Sequence, residues 1–267
     1  MRIALGLEYD GTGYAGWQVQ SHAPSVQGAL NVAIAAVADH PVSTLAAGRT
    51  DAGVHATGQV VHFDAQVQRS ERSWLLGINS NLPADIAVRW VRPVAADFHA
   101  RHSAVARTYE YLVWCAPVRP ALARHRVWWV REPLDLSAMV GGAATLLGEH
   151  DFSSFRGAGC QARSPVRRLH ELAVHGLPGG LRVVARASGF LHHMVRNLVG
   201  ALVAVGAGER APGDLARLLA ARDRRLAPPT APAAGLYLAA VEYPAHCGLP
   251  ASTPPPGAFP GLGIIPP

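Results

Sequence analysis

The sequence predicts an α+β protein built from two ferredoxin-like halves. Residues 1–105 read in the order strand, helix, strand, strand, helix, strand. That is the ferredoxin-like arrangement of an antiparallel sheet with helices on one side. A second alternation of strands and helices runs over residues 106–244, without an aligned repeat of the first. Residues 245–267 form a proline-rich stretch with no pattern to fold, and a disordered tail is expected there.

In the first half, residues 2–9 alternate as a strand with Ile3, Leu5, Leu7 and Tyr9 on one face. Gly11-Thr12-Gly13-Tyr14-Ala15-Gly16 follows, a literal G-x-G-x-x-G directly after a strand. In a dinucleotide-binding motif a helix begins within the glycines, so that its N-terminus meets the pyrophosphate. Here the helix signal starts only after Pro24, with Ser25 as N-cap and Val26, Leu30, Ile34 and Val37 as the apolar face. A strand from Val42 to Ala47 leads into Gly48-Arg49-Thr50-Asp51-Ala52-Gly53-Val54-His55-Ala56. Gly58–Phe63 reads as the next strand, Ser70 caps a helix running through Trp74 to Ile78, and residues 79–83 turn into a strand marked by Ile86, Val88 and Trp90.

The second half opens with a long strand from Thr108 to Trp114 and a short one at Val127–Val130. Asp135 caps a helix whose stripe is Leu136, Met139, Val140, Ala143 and Leu147. Val166–His175 and Leu181–Ala187 form a hairpin. A helix after Gly189 buries Leu191, Met194, Val195, Leu198 and Leu202 and stops at Gly206. A short helix at Leu215–Leu219 and a last strand at Gly235–Tyr243 complete the pattern.

Composition narrows the function. The chain has 267 residues, a formal net charge of +6, and arginine as its sole strong base, with no lysine. Hydrophobic residues make up 49%, which excludes general disorder. Guanidinium groups suit phosphate recognition and stacking on bases. Arg119, Arg124, Arg126, Arg163, Arg167, Arg168, Arg222, Arg224 and Arg225 are candidates for such contacts, although a solvated surface arginine is individually the commoner case. No run is apolar and long enough to span a membrane, and the first residues lack a signal-peptide core, so a cytoplasmic protein is expected. Three dispersed cysteines argue against both a disulfide framework and a zinc knuckle.

The arginine–aspartate loop is the strongest chemical candidate. Glycines at 48 and 53 shape it, and it presents Arg49 and Asp51 two residues apart. Three features can combine with it. Tyr109, on a strand, offers a ring that can stack on an extruded base, although a buried core tyrosine is the commoner case. Arg196 and His192 fall off the apolar stripe of their helix, which by itself suggests a solvated face. His150, Asp151 and Ser153 resemble hydrolytic-triad members but crowd into four residues, whereas a fold normally assembles such groups from separate elements. Asp97, His99 and His102 have ligand spacing beside repelling arginines, and His192 and His193 are adjacent and expected to diverge, so no metal is expected.

Taken together these segments resemble the TruA family, the tRNA pseudouridine(38–40) synthases. The resemblance rests on Tyr9–Gln18, Ser25-Val26-Gln27, Gly48–Ala56, Leu82–Ile86, Phe98–Arg101, Arg107–Tyr111, Gly148–Phe155, Phe190–Asn197 and Ala234–Leu238, in that order. It accounts for the glycine triplet as part of the family's first segment. Arginine stands where relatives often have lysine, and the chain beyond Pro244 lies outside the pattern.

The resemblance implies a fold, an activity and a site. The two halves would share one large antiparallel sheet with flanking helices and a central catalytic cleft. The activity would be isomerisation of uridine to pseudouridine in the anticodon stem-loop of tRNA, by a cytoplasmic homodimer. Asp51 would be the catalytic nucleophile, with Arg196 its ion-pair partner, Arg49 positioning the flipped nucleotide and Tyr109 stacking on the base. Burial opposes ionisation of such a carboxylate and a guanidinium favours it. The reaction is redox-neutral, so no cofactor and no metal are implied. A noncatalytic RNA-binding module and a dinucleotide-dependent oxidoreductase are the alternative classes. The ordered motif set weighs against the first and the displaced helix start against the second.

Overall fold

The computed structural model describes residues 1–250; the rest of the expected tail lies outside them. The chain divides into two compact units, Met1–Ala106 with the described residues from Tyr237 on, and Arg107–Leu236. Both mix strands and helices.

Unit 1 begins with β1 (Arg2–Tyr9), α1 (Val26–Ala38), β2 (Leu45–Ala46), β3 (His55–Asp64), α2 (Glu71–Asn81) and β4 (Ile86–Val94). β1 lies between β3 and β4 and is antiparallel to both, while β2 pairs antiparallel with β3. The Ser25 hydroxyl accepts from Gly28 N at 3.2 Å, as an N-cap should, and Ser70 caps α2 in the same way through Ser73 N. Three expectations shift. β1 is buried on both faces rather than one, with Ala4 as inaccessible as Ile3 and Leu5. The second face is covered by Phe98 and Ala100, with Trp90, Val94, Tyr243, Cys247 and Leu249 partly buried against them. Residues 245–249 therefore pack on unit 1 although their sequence shows no pattern. β2 is two residues long, because Thr44 just before it turns toward the helix: its N and Oγ1 both donate to Asn31 Oδ1, while Ala47 N after it still donates to Val60 O of β3. Finally, α2 continues a turn past Ile78, where Asn79 caps inward, its amide donating to Leu75 O and Val88 O.

Unit 2 holds β5 (Ala106–Cys115), β6 (Trp128–Val130), α3 (Leu136–Ala144), β7 (Gly148–Asp151), β8 (Val166–Leu177), β9 (Gly180–Ala187), α4 (Met194–Gly206) and α5 (Asp214–Ala221). β5, β9, β8 and β7 are joined antiparallel in that order, and β6 runs parallel to β5. β7 is not apparent from the sequence, since its four residues, Gly-Glu-His-Asp, carry no apolar alternation. The α3 and α4 helices pack on each other, and α3 also covers β8. α4 starts at Met194, later than the apolar stripe suggests, because His193 takes a left-handed conformation with φ 59°.

The final strand, β10 (Leu236–Glu242), returns to unit 1 and pairs in parallel with β3 through Tyr237–His55 and Leu238–Ala56. The sequence boundary near residue 105 leaves this strand with the second half. Its parallel pairing, with that of β6, also makes the strand pairing mixed rather than purely antiparallel.

Candidate active site

The Asp51 loop is held from beneath by β1 and β3. Tyr9, at the end of β1, sits with its hydroxyl 2.8 Å from Thr50 Oγ1. Gln59 of β3, fully buried, donates to Gly48 O at 2.7 Å and lies 3.4 Å from the same tyrosine oxygen. Burial pushes the Tyr9 phenol up to about 12, against the hydrogen bonds of Thr50 and Gln59, so it stays protonated as a fixed part of the scaffold.

The segment after β1 straps over the loop. Trp17 N donates to Thr50 O at 3.0 Å, and Gly53 N donates to Tyr14 O at 3.3 Å. Gly16, at φ 95°, passes so close that a β-carbon there would lie 2.7 Å from Thr50 O and 3.0 Å from the Asp51 carbonyl carbon. At Gly11 a β-carbon would meet Val54 O at 2.0 Å. The G-x-G-x-x-G run is thus a backbone-to-backbone contact with the Asp51 loop, and α1 begins well after it at Val26.

Within this frame Asp51 is half-buried, whereas Arg49 is exposed. Val54 N donates to Asp51 O at 3.1 Å, which closes the turn. His55 is buried and stacks on Tyr237 with ring centroids 4.7 Å apart; its Nδ1 accepts from Gly11 N and lies 3.1 Å from Asp10 Oδ1.

Tyr109 and Arg196 belong to unit 2. Tyr109 is nine-tenths buried on β5, and Phe190 meets it edge to face with centroids 5.1 Å apart. Arg196 is half-buried in the first turn of α4 rather than solvated. Its Nε donates to Ala231 O at 2.8 Å, and Ala231 N donates back to Arg196 O at 3.1 Å. The helix stripe alone misses this, because the covering segment comes from 35 residues away. Asn197, the next residue, is wholly buried; it donates to Phe155 O and accepts from Thr230 and Arg224.

Other candidates resolve into local structure. Asp151 Oδ1 accepts from Ser153 N and His150 Nε2 bonds Leu147 O, closing local turns, while Ser154 Oγ donates to Leu218 O of α5, so the 150–154 cluster serves structure. The Ser153 hydrogen bond holds the Asp151 carboxyl below the usual range. His99 Nδ1 accepts from the backbones of Arg101 and His102. His192 and His193 do not diverge: their rings are 3.8 Å apart, since the left-handed His193 folds the pair together. Sequence reasoning overlooked Tyr9, Gln59 and Asn197 as supports; the available signal was a polar residue inside an apolar run.

Comparison with known proteins now bears on these residues. A family model described as tRNA pseudouridine synthase matches residues 7–103 and 143–244. The chain belongs to this family. Membership makes it an enzyme, an isomerase. A tRNA pseudouridine synthase A of Coxiella burnetii is 50% identical over 249 residues, covering 93% of this chain and 95% of the relative. Proteins with the same description from Bordetella parapertussis and Klebsiella pneumoniae are 54% and 52% identical, each with 92% of its own length covered. The matched stretches carry Arg49, Asp51 and Arg196, and Tyr109 lies between them.

Proposed function

We propose that this enzyme isomerises uridine to pseudouridine in the anticodon stem-loop of tRNA, at positions 38–40, with Asp51 as nucleophile. The observation that carries the reading is the setting of Asp51. It is a half-buried carboxylate on a loop whose backbone is tied at Gly48, Thr50 and Gly53. Holding a nucleophile in one place removes much of the entropic barrier to attack.

The chemistry balances without an oxidant or reductant. The bond from ribose C1′ to uracil N1 breaks, the base rotates, and a bond from C1′ to C5 forms. C5 then loses a proton and N1 gains one. Arg196 is the positive partner of Asp51 in this scheme, and its backbone-anchored guanidinium suits a fixed charge. Arg49, exposed on the loop, orients the flipped nucleotide, and Tyr109 serves as stacking platform.

The same reading takes each unit as a ferredoxin-like half; in unit 1, β1 between β3 and β4 with β2 on β3's other edge supports it. It takes the enzyme as a cytoplasmic homodimer. No helix among the described residues is long and apolar enough to cross a membrane. Replacing Asp51 by Asn should leave fold and tRNA binding intact while tritium release from 5-tritiated uridine in tRNA falls to background. Appreciable turnover in that variant would overturn the assignment.

A further inference from the structure

We infer that Tyr14 and Asp85 form a latch that positions Asp51, a role that rests on the reading of Asp51 as the nucleophile. The Tyr14 hydroxyl donates to Asp85 Oδ1 at 2.6 Å, across 71 residues of sequence. Asp85 also takes the other end of the same turn, since Asp10 N donates to Asp85 O at 2.9 Å. One residue beside β4 thus clamps residues 10 and 14, the two ends of the turn that leads from β1 into the strap.

Between these ends Gly11 is buried and donates to His55 Nδ1 at 3.1 Å, but the tip of the turn is open. Thr12 and Gly13 are exposed, and a β-carbon at Gly13 would have nothing within 4 Å. The turn is closed by Tyr14 N donating to Gly11 O at 3.1 Å, and Thr12 bonds back to Asp10 Oδ1. Tyr14 is also where the strap grips the loop, because its carbonyl accepts Gly53 N–H. Two peptide units later Gly16 lies against Thr50 and Asp51 themselves. The phenol is therefore a tether on the residue whose backbone contacts the turn after Asp51.

The bond has the chemistry of a strong tether. An O–H donating to a carboxylate is short and about twice as strong as a neutral pair. Partial burial and the Asp85 carboxylate both push the Tyr14 hydroxyl above its usual range, which keeps the proton on the phenol and the donor direction fixed. Tyr14 is a positioning residue here: it acts on Asp51 through the backbone of Gly53 and Gly16. Small displacements of a reacting group carry large rate effects, which is why a partly exposed phenol can matter to the chemistry.

The test is single-turnover kinetics at saturating tRNA with the intact enzyme. Tyr14→Phe keeps the ring and removes the tether; its rate should fall about tenfold while the tRNA Kd stays within about twofold. Asp85→Ala, at an exposed side chain, should give the same loss, and Asp85→Asn, which keeps an acceptor, should recover most of it. The Tyr14→Phe/Asp85→Ala double variant should be no slower than either single one, since both break the same bond. A wild-type rate in Tyr14→Phe, losses that multiply in the double variant, or weakened tRNA affinity with an unchanged rate would each overturn the latch; the last would instead make Tyr14 an RNA contact. Asp51→Asn runs in parallel: if it stays active the nucleophile reading fails, whereas an inactive Asp51→Asn beside a full-rate Tyr14→Phe sinks the latch alone.

Discussion

Tyr9 and Thr50 meet oxygen to oxygen at 2.8 Å, both buried, where the end of β1 runs beneath the Asp51 loop. Tyr9→Phe deletes that bond and leaves the Thr50 hydroxyl in a dry site. The cost should be about 1–2 kcal/mol. In a protein of this size that is a fall in Tm of several degrees, about 2–8 °C, readable by calorimetry. An unchanged Tm would show that Thr50 exchanges to another acceptor and that the loop does not depend on β1.

The glycines of the strap should not be equivalent. Gly11→Ala would drive a β-carbon against Val54 O, and Gly16→Ala would add the strain of a left-handed alanine to a clash with Thr50 O. Each should lose about 1–3 kcal/mol of stability and much of its activity. Gly13→Ala meets nothing within 4 Å and should be close to wild type in both. Paired thermal melts and tritium-release rates check this, and a damaging Gly13→Ala would mean the strap is packed against something else.

This contrast also bears on what was legible in the sequence. The Gly-x-Gly-x-x-Gly spacing is visible, but its meaning is a long-range one: Gly16 and Gly11 are required by carbonyls 34 and 43 residues away, at Thr50 and Val54. Local pattern cannot supply such a partner. The helices α1 and α2 were readable because caps and periodicity are local, as Ser25 and Ser70 demonstrate. β7 and the start of α4 were not, because the first depends on pairing with β8 and the second on one left-handed residue, His193. Asp51 and Arg49 stood out through their shaped loop. Arg196 looked solvent-facing, since Ala231 covers it from a separate segment.

A pH response is expected from His62, which is buried in unit 1 with Nδ1 accepting from Ala100 N and its ring 4.8 Å from that of His99. Burial, followed by the charges of His99 and Arg2, lowers it from 6.5 to about 4, with Asp64 opposing. The unfolded chain therefore takes up a proton between about pH 6.5 and 4 that the folded protein refuses. Stability should rise with pH across that window and level off above it. His99 is shifted in the same direction, chiefly by burial, and adds to the slope. Denaturant titrations of wild type and His62→Gln from pH 4 to 8 should show a shallower acidic decline in the variant; parallel curves would assign the decline to other groups.

The last prediction separates a charge partner from a stacking platform. On the function proposed above Arg196 is the positive partner of Asp51, and its guanidinium is fixed to Ala231 O. Removing that charge in Arg196→Met should lower the single-turnover rate at saturating tRNA by about tenfold or more. Circular dichroism should confirm that α4 survives loss of the Ala231 bond. Tyr109→Phe keeps the ring and its edge-to-face contact with Phe190, so it separates loss of the hydroxyl from loss of the ring. If proton transfer at C5 uses the Tyr109 hydroxyl, turnover should fall after the glycosidic bond has broken; if the ring only stacks, turnover should remain near wild type. A wild-type rate in a well-folded Arg196→Met would remove Arg196 from the scheme and make Arg49, two residues from Asp51 on the same loop, the next cation to replace.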